Sequence, residues 1–379
     1  MKTLGLIVNP IAGMGGSVGL KGTDGEDTPQ RALSLGAEPQ ASKRSYEALS
    51  IIGKAMPELS LVTCAGKMGE DTARSCGLTA HIIEGVPQDG ASTSSADTRR
   101  AALELQRLGV DLLLFAGGDG TARDICDVLR TGGFASADLP VLGIPAGVKM
   151  HSGVFALTPR KAGETALNFL NDHAAELADV EVMDIDEDAF REGRVSATLH
   201  GYLKTPMGGD GVQATKSGAA PSDSRAAEDI ARQVVADMAD DTLYIIGPGT
   251  TTATIARELG VANTLLGVDV VANGKLLAAD ATERDLLRLT DGRSAKIVVT
   301  VIGGQGYIFG RGNQQISPRV IRRIGRENIV VVATAGKLRA LDGRPLLVDT
   351  GDTTLDDELS GYIRVVTGYR ESHIYRVAC

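Results

Sequence analysis

The sequence predicts an α/β protein whose amino-terminal domain is a doubly wound parallel sheet, and three observations carry the prediction. Short apolar runs recur along the chain, each stopping abruptly at Gly or Pro and giving way to a helix-compatible stretch. The runs are continuous rather than alternating, which is how strands read when helices cover both faces of a sheet. The composition agrees: hydrophobic residues make up 43% and aromatics only 3%, while 47 glycines supply tight turns. With 379 residues the chain exceeds what one core usually organises, so two domains are expected.

The strands of the first half are Leu4 to Val8, closed by Asn9-Pro10, then Leu112 to Ala116, closed by Gly117, and Val141 to Ile144, closed by Pro145. In the second half Leu243 to Ile246 ends at Gly247, Ile297 to Ile302 at Gly303, and Ile329 to Ala335 at Gly336. Between the two groups lies a small β-rich middle segment at about 180–218: acidic Asp184 to Asp188, then Arg194 to Leu199 alternating with the period of a half-exposed strand. A helix pattern from Ser222 to Ala239 follows. The expected division is an amino-terminal α/β domain over about 1–160 and a carboxyl-terminal region over about 161–379, whose own α/β part runs from about 241 to 379. This second α/β region is expected to close a cleft over the first.

The chemistry concentrates at Gly117-Gly118-Asp119-Gly120-Thr121, which joins a strand to a helix. Glycines there let backbone approach a ligand, and the N-terminus of the following helix attracts phosphate. A carboxylate opposes an anion unless it takes a proton from a hydroxyl, orders a metal or hydrogen-bonds a sugar, so Asp119 points to phosphoryl transfer. The plainer alternative is a helix cap.

Three further turns could form parts of an anion site. Asn9 to Gly16 is a permissive loop after the first strand. Gly143 to Ser152 carries Pro145-Ala146-Gly147 and then Lys149 and His151, readable as a phosphate charge and a donor to substrate, or as an ordinary surface lysine and a structural histidine. Gly247-Pro248-Gly249-Thr250-Thr251-Thr252 places three hydroxyls at a helix start, suited both to capping and to phosphate, and it lacks the lysine of a Walker A loop. Gly303-Gly304-Gln305-Gly306 and Arg311 extend the theme, Arg311 as a phosphate ligand or as a structural cap.

Taken together, Asn9-Pro10, Gly117 to Thr121 and Pro145-Ala146-Gly147 resemble the superfamily of ATP-NAD kinases, diacylglycerol kinases and sphingosine kinases. Within it, the long carboxyl half with Gly247 to Thr252 and Gly303 to Gly306 is similar to the group that includes acetoin-catabolism protein X. The resemblance implies an ATP- or polyphosphate-dependent kinase that phosphorylates NAD at the adenosine 2′-hydroxyl. It implies that Asp119 activates this hydroxyl, that Gly117, Gly118, Gly120 and Thr121 contact nucleotide, and that Mg²⁺ accompanies the ATP.

Two departures keep other acceptors open. The Asn-Asp or Asn-Glu pair that holds the ribose in NAD kinases has its only sequence match at Asn171-Asp172, in a helix-like stretch. The lipid kinases carry Asn-Glu soon after the glycine turn, where this chain has Arg123-Asp124. The alternatives are a kinase of another small hydroxyl metabolite and a non-catalytic nucleotide-binding accessory protein of acetoin catabolism.

The net charge of −9 and pI of about 5.2 argue against nucleic acid or an anionic membrane as partner. No apolar run reaches membrane-spanning length, and the first one breaks at Asn9-Pro10, short of a secretion signal. Cys64, Cys76, Cys126 and Cys379 show no metal or disulfide spacing, so reduced thiols and a cytoplasmic location are expected. No His/Cys ligand set is visible, and Mg²⁺ needs only a carboxylate or two beside phosphate oxygens. A homo-oligomer is left open.

Overall fold

The computed structural model describes residues 2–20, 28–85, 93–131, 139–148, 150–171, 176–185, 197–207 and 223–379. Contacts divide the chain into two compact units, one of Met1–Met14, Gly22–Leu33 and Glu38–Thr215, the other of Gly15–Lys21, Ser34–Ala37 and Lys216–Cys379.

The first unit is built on β1 (Thr3–Val8), β2 (Ser60–Thr63), β3 (Ala80–Ile82), β4 (Leu112–Gly117) and β5 (Val141–Pro145). These form a five-stranded sheet of order β3-β2-β1-β4-β5, and every pairing is parallel. Its helices are α1 (Thr28–Ser34), α2 (Ala41–Ala55), α3 (Glu70–Ser75), α4 (Ser95–Arg107), α5 (Asp119–Thr131) and α6 (Pro159–Asn171).

The continuous apolar strands are explained by the two cores they separate. On β4, Leu112, Leu114 and Ala116 join one cluster with Ala48, Leu49 and Ile52 of α2 and Ala162 and Ala166 of α6. Leu113 and Phe115 join the opposite cluster with Ala101 and Leu105 of α4 and Ile125 and Leu129 of α5. Alternate side chains therefore point to opposite helical layers, and both parities must be apolar. The small side chains let helices come close: a Cβ on Gly163 of α6 would stand 2.5 Å from the carbonyl oxygen of Ala48.

An antiparallel pair, β6 (Leu177–Ile185) and β7 (Ala197–Pro206), completes this unit. Val182 and Leu203 sink into the α4/α5 core. The pair belongs to the compact unit that runs to Thr215. Of the acidic run, Asp184 and Ile185 end β6, while residues 186–188 lie outside the described residues, as do 208–218.

The second unit carries β8 (Leu243–Ile246), β9 (Asp269–Ala272), β10 (Lys275–Ala278), β11 (Ala295–Thr300), β12 (Tyr307–Phe309), β13 (Ile329–Val332), β14 (Leu346–Val348), β15 (Gly361–Gly368) and β16 (Glu371–Ala378). Its helices are α7 (Asp223–Ala236), α8 (Thr250–Glu258), α9 (Glu283–Leu289), α10 (Pro318–Ile324), α11 (Ala335–Arg339) and α12 (Thr353–Leu359). The sheet order is β10-β9-β8-β11-β13-β15-β16-β14-β12. Strands β8, β11, β13 and β15 run parallel, while β9 and β10 add an antiparallel edge and β16 reverses against β15. Again the strands face two cores, Ile297 and Val299 toward α9 and α10, and Val298 toward α7 and α8.

Candidate functional site

In the first unit, β1 lies beside β4, and the chain leaves these two strands toward opposite edges of the sheet. Their carboxyl ends therefore flank the topological switch point, where open α/β sheets bind ligands. The register brings three turns level: Val8 pairs with Ala116, and Gly117 with Pro145. Asn9, Gly117 to Thr121 and Pro145 to Gly147 thus gather at one end of the sheet.

Several contacts lock the turns together. Ala146 and Gly147 both donate backbone N–H to the carbonyl of Gly117, at 3.0 Å each. The glycines allow this approach, since a Cβ on Gly147 would stand 2.8 Å from Cα of Gly118, and one on Gly117 would meet Thr121 at 2.4 Å. The Asn9 amide donates to Thr121 Oγ1 at 3.0 Å while its oxygen accepts the N–H of Ile11 at 3.2 Å, tying the β1 turn to the first turn of α5.

Asp119 is the first residue of α5, where the helix dipole favours a carboxylate. Only 8% exposed, it accepts the backbone N–H of His151 on Oδ2 at 2.8 Å and that of Ser152 on Oδ1 at 3.0 Å. The 151–153 segment is held from its other side by β6, as Ser152 Oγ accepts the N–H of Met183 at 3.0 Å and Gly153 donates to Glu181 at 2.8 Å. His151, 5% exposed, sets its ring Nδ1 3.5 Å from Asp119 Oδ2. Neither ring nitrogen has a hydrogen-bond partner among the described residues. Lys149 lies outside the described residues.

Asp124, one turn further along α5, faces Arg99 of α4 at 2.8 Å, and Arg99 also reaches Asp127 at 3.3 Å. Burial pushes the Asp124 carboxyl above its ordinary range, against the pull of Arg99. Its contacts are those of a link between two helices. A cation absent from the sequence reading, Arg44 of α2, donates to the carbonyl of Pro145 at 2.9 Å and so stands at the end of β5. Its one signal in the sequence is the basic pair Lys43-Arg44 in the first turn of an amphipathic helix.

The second unit has glycine and threonine turns of its own. Gly249, at φ 134°, precedes α8, and a Cβ there would stand 2.6 Å from Thr300 Cγ2. Thr252 Oγ1 donates back to the Gly249 carbonyl at 2.9 Å, and Thr251 Oγ1 accepts from Lys337 Nζ at 3.0 Å. Thr250 is exposed. Lys337 also donates to Thr300 at 3.0 Å, so its ammonium sits where β8, β11 and β13 end. The signal for Lys337 was the sequence Thr334-Ala335-Gly336-Lys337 after a strand, which repeats the hydroxyl, glycine and cation of a phosphate turn.

Gly247 donates to Val298, and Gly304 accepts from Arg344 at 2.9 Å. Arg311 is buried against Asp349, Gly310 and the ring of Tyr307. These contacts fit the structural one of its two sequence readings.

With this geometry in view, the sequence matches the family model of the ATP-NAD kinase N-terminal domain over residues 4–174 and that of the ATP-NAD kinase C-terminal domain over residues 239–377. Among solved structures it is similar to a Bacillus anthracis str. Sterne protein described as a candidate diacylglycerol kinase, at 17% identity and a TM-score of 0.26. That alignment covers 49% of this chain and 43% of the other, less than half the length of either, and carries no argument here. No curated protein matches the sequence.

Proposed function

Because this chain belongs to the ATP-NAD kinase family and is a phosphotransferase, we propose that it moves the γ-phosphoryl of ATP, or of polyphosphate, to the adenosine 2′-hydroxyl of NAD. The observation that supports this reading is the buried Asp119 carboxylate, fixed by two backbone N–H groups inside a glycine turn at the switch point. Phosphoryl transfer asks little covalent chemistry of a protein and much positioning. Here the Gly117 and Gly118 backbone, the first turn of α5 and Thr121 would hold phosphate, and the Asp119 charge would draw the proton from the attacking hydroxyl.

Among the described residues no group of three or more His, Cys, Asp or Glu gathers to hold a metal. A lone carboxylate at the turn suits an ion that arrives on the triphosphate, which supplies the remaining oxygens. Such an ion would neutralise charge on the transferring group.

A second acceptor is favoured by one observation. Asn171, of the single Asn-Asp pair, closes the helix α6 instead of standing in a β-rich segment. A small hydroxyl metabolite is then the acceptor. Labelled ATP offered with NAD, nucleosides and polyols separates the readings: label in NADP supports the first, label in another acceptor the second, and transfer to none opposes both.

A further inference from the structure

We propose that Arg44 holds the terminal phosphate of the donor and offsets its charge during transfer; the inference rests on the phosphoryl-transfer reading above. Two elements place the guanidinium. Its helix, α2, starts at Ala41 against the turns that follow β1 and β5, since Ala12, Ala41 and Ala146 share one buried cluster. Gly13 lies among them at φ 80°, and a Cβ there would stand 2.3 Å from the Ala146 carbonyl oxygen and 3.2 Å from Cβ of Gln40. From the first turn of α2, Arg44 Nη1 donates to the Pro145 carbonyl at 2.9 Å.

Pro145 pairs with Gly117, whose carbonyl accepts the N–H groups of Ala146 and Gly147, and Gly147 packs on Gly118. The carbonyl that anchors the charge therefore belongs to the strand beside the glycine turn, a spacing of about 5 Å. Arg44 is only partly buried, which leaves it within reach of a ligand entering from solvent at the carboxyl ends of the strands.

Electrostatics indicate the ligand. The first turn of α2 holds Lys43 and Arg44 and no acidic residue. Cations are unfavourable at the positive end of a helix dipole, and a bound anion reverses the sign of that interaction. Local preferences are broken in this way where a site needs the residue. A guanidinium is permanently charged, and its planar fork of N–H donors matches two oxygens of a phosphate. Asp119 sets a negative charge in the neighbouring turn, and a fixed cation close by offsets its repulsion of a triphosphate.

Arg44 gives up no proton in the transfer. The acceptor oxygen bonds to the γ-phosphorus as its proton passes to Asp119, the bond from phosphorus to the β,γ-bridging oxygen breaks, and that electron pair leaves with ADP. The charge spread over the transferring group is what a preorganised cation stabilises.

The test uses the full chain, with binding of ATP and AMP by calorimetry beside transfer of γ-label to NAD, nucleosides and polyols. Arg44→Ala should weaken ATP about 10 to 100-fold and AMP by less than about threefold, because AMP lacks the terminal phosphate. The same variant should lower kcat about 10² to 10³-fold, and guanidinium added below denaturing concentrations should restore at least about tenfold. If the alanine variant does not fold, Arg44→Lys keeps the charge without the fork and should weaken ATP about 3 to 10-fold while AMP stays as in wild type. An arginine that acts only through Pro145 gives equal losses for ATP and AMP and no recovery with guanidinium. That result, or wild-type affinity for ATP in a folded variant, overturns the proposal and leaves the kinase reading standing. A wild-type chain that labels none of the acceptors overturns the kinase reading and the transfer role of Arg44 with it, and the contrast between ATP and AMP then decides whether Arg44 binds phosphate.

Discussion

Asp119 reaches across 32 residues of sequence to accept the backbone N–H of His151, so the carboxylate of the glycine turn and the imidazole after β5 occupy one place because the chain fixes each to the other. This relationship makes the acidic residue both a chemical group and a clip. The Asp119→Asn variant therefore loses a charge-assisted acceptor and sets an amide donor against one of the two N–H groups. We expect a stability loss of about 1.5–3 kcal/mol for the hydrogen bonds to the charged group, measured by denaturant unfolding. A variant as stable as wild type would show that the clip contributes nothing.

Gly147→Ala tests the close approach of the two turns. The added methyl would stand 2.8 Å from Cα of Gly118, backbone that has no rotamer with which to yield. Overpacking of this kind typically costs about 1–3 kcal/mol. The expected outcome is lower stability together with weaker ATP binding by calorimetry, since the Gly118 backbone, proposed above to hold phosphate, must shift. Normal stability and binding would mean that the two turns can separate freely.

The threonine turn of the second unit predicts a contrast between neighbours. Thr251→Val removes a buried partner of Lys337 and should cost about 1–3 kcal/mol, whereas the exposed Thr250→Val should stay within about 0.5 kcal/mol of wild type. Equal effects of the two substitutions in urea unfolding would contradict the assignment of Thr251 to the Lys337 contact.

Asp124 gives a pH dependence with a definite sign. Its folded carboxyl lies above the ordinary range, so the native state binds the proton more readily than the unfolded chain does. Stability from this group is present at acid pH and is lost as pH rises through the carboxylate range. The Asp124→Asn variant does not titrate there. Its stability relative to wild type should rise as pH increases from the acid side toward neutrality, and a fall over that interval would show that the attraction of Arg99 outweighs burial.

The legible parts of the fold were those written in local pattern. Leu112 to Ala116 could be read as a strand covered on both faces because every side chain there is apolar, and the structure places alternate ones in two cores. The β9–β10 hairpin had a local signal too, Asn273-Gly274 at φ 49° and 68°, as a tight two-residue turn requires. The β15–β16 hairpin had none, for it turns at Tyr369-Arg370 with Arg370 forced to φ 56°. At the site, the glycine turn was visible as a strand–turn–helix unit. The clip between Asp119 and residues 151–152, the approach of Arg44 to Pro145 and the placement of Lys337 between Thr251 and Thr300 were not, because each joins residues that only the sheet order brings together. The ion pair of Arg311 with Asp349, 38 residues away in sequence, was hidden for the same reason.

The central claim is that this chain phosphorylates NAD through the Asp119 turn, and steady-state transfer of labelled phosphate from ATP to NAD by wild type and Asp119→Asn, with ATP binding measured on both, tests it most directly. The account predicts NADP formation by the wild type and a loss of about 10² to 10⁴-fold in turnover by the variant while ATP binding persists. NADP formation by the variant at the wild-type rate would contradict the role of Asp119, and a wild type that labels other hydroxyls but never NAD would contradict the choice of acceptor.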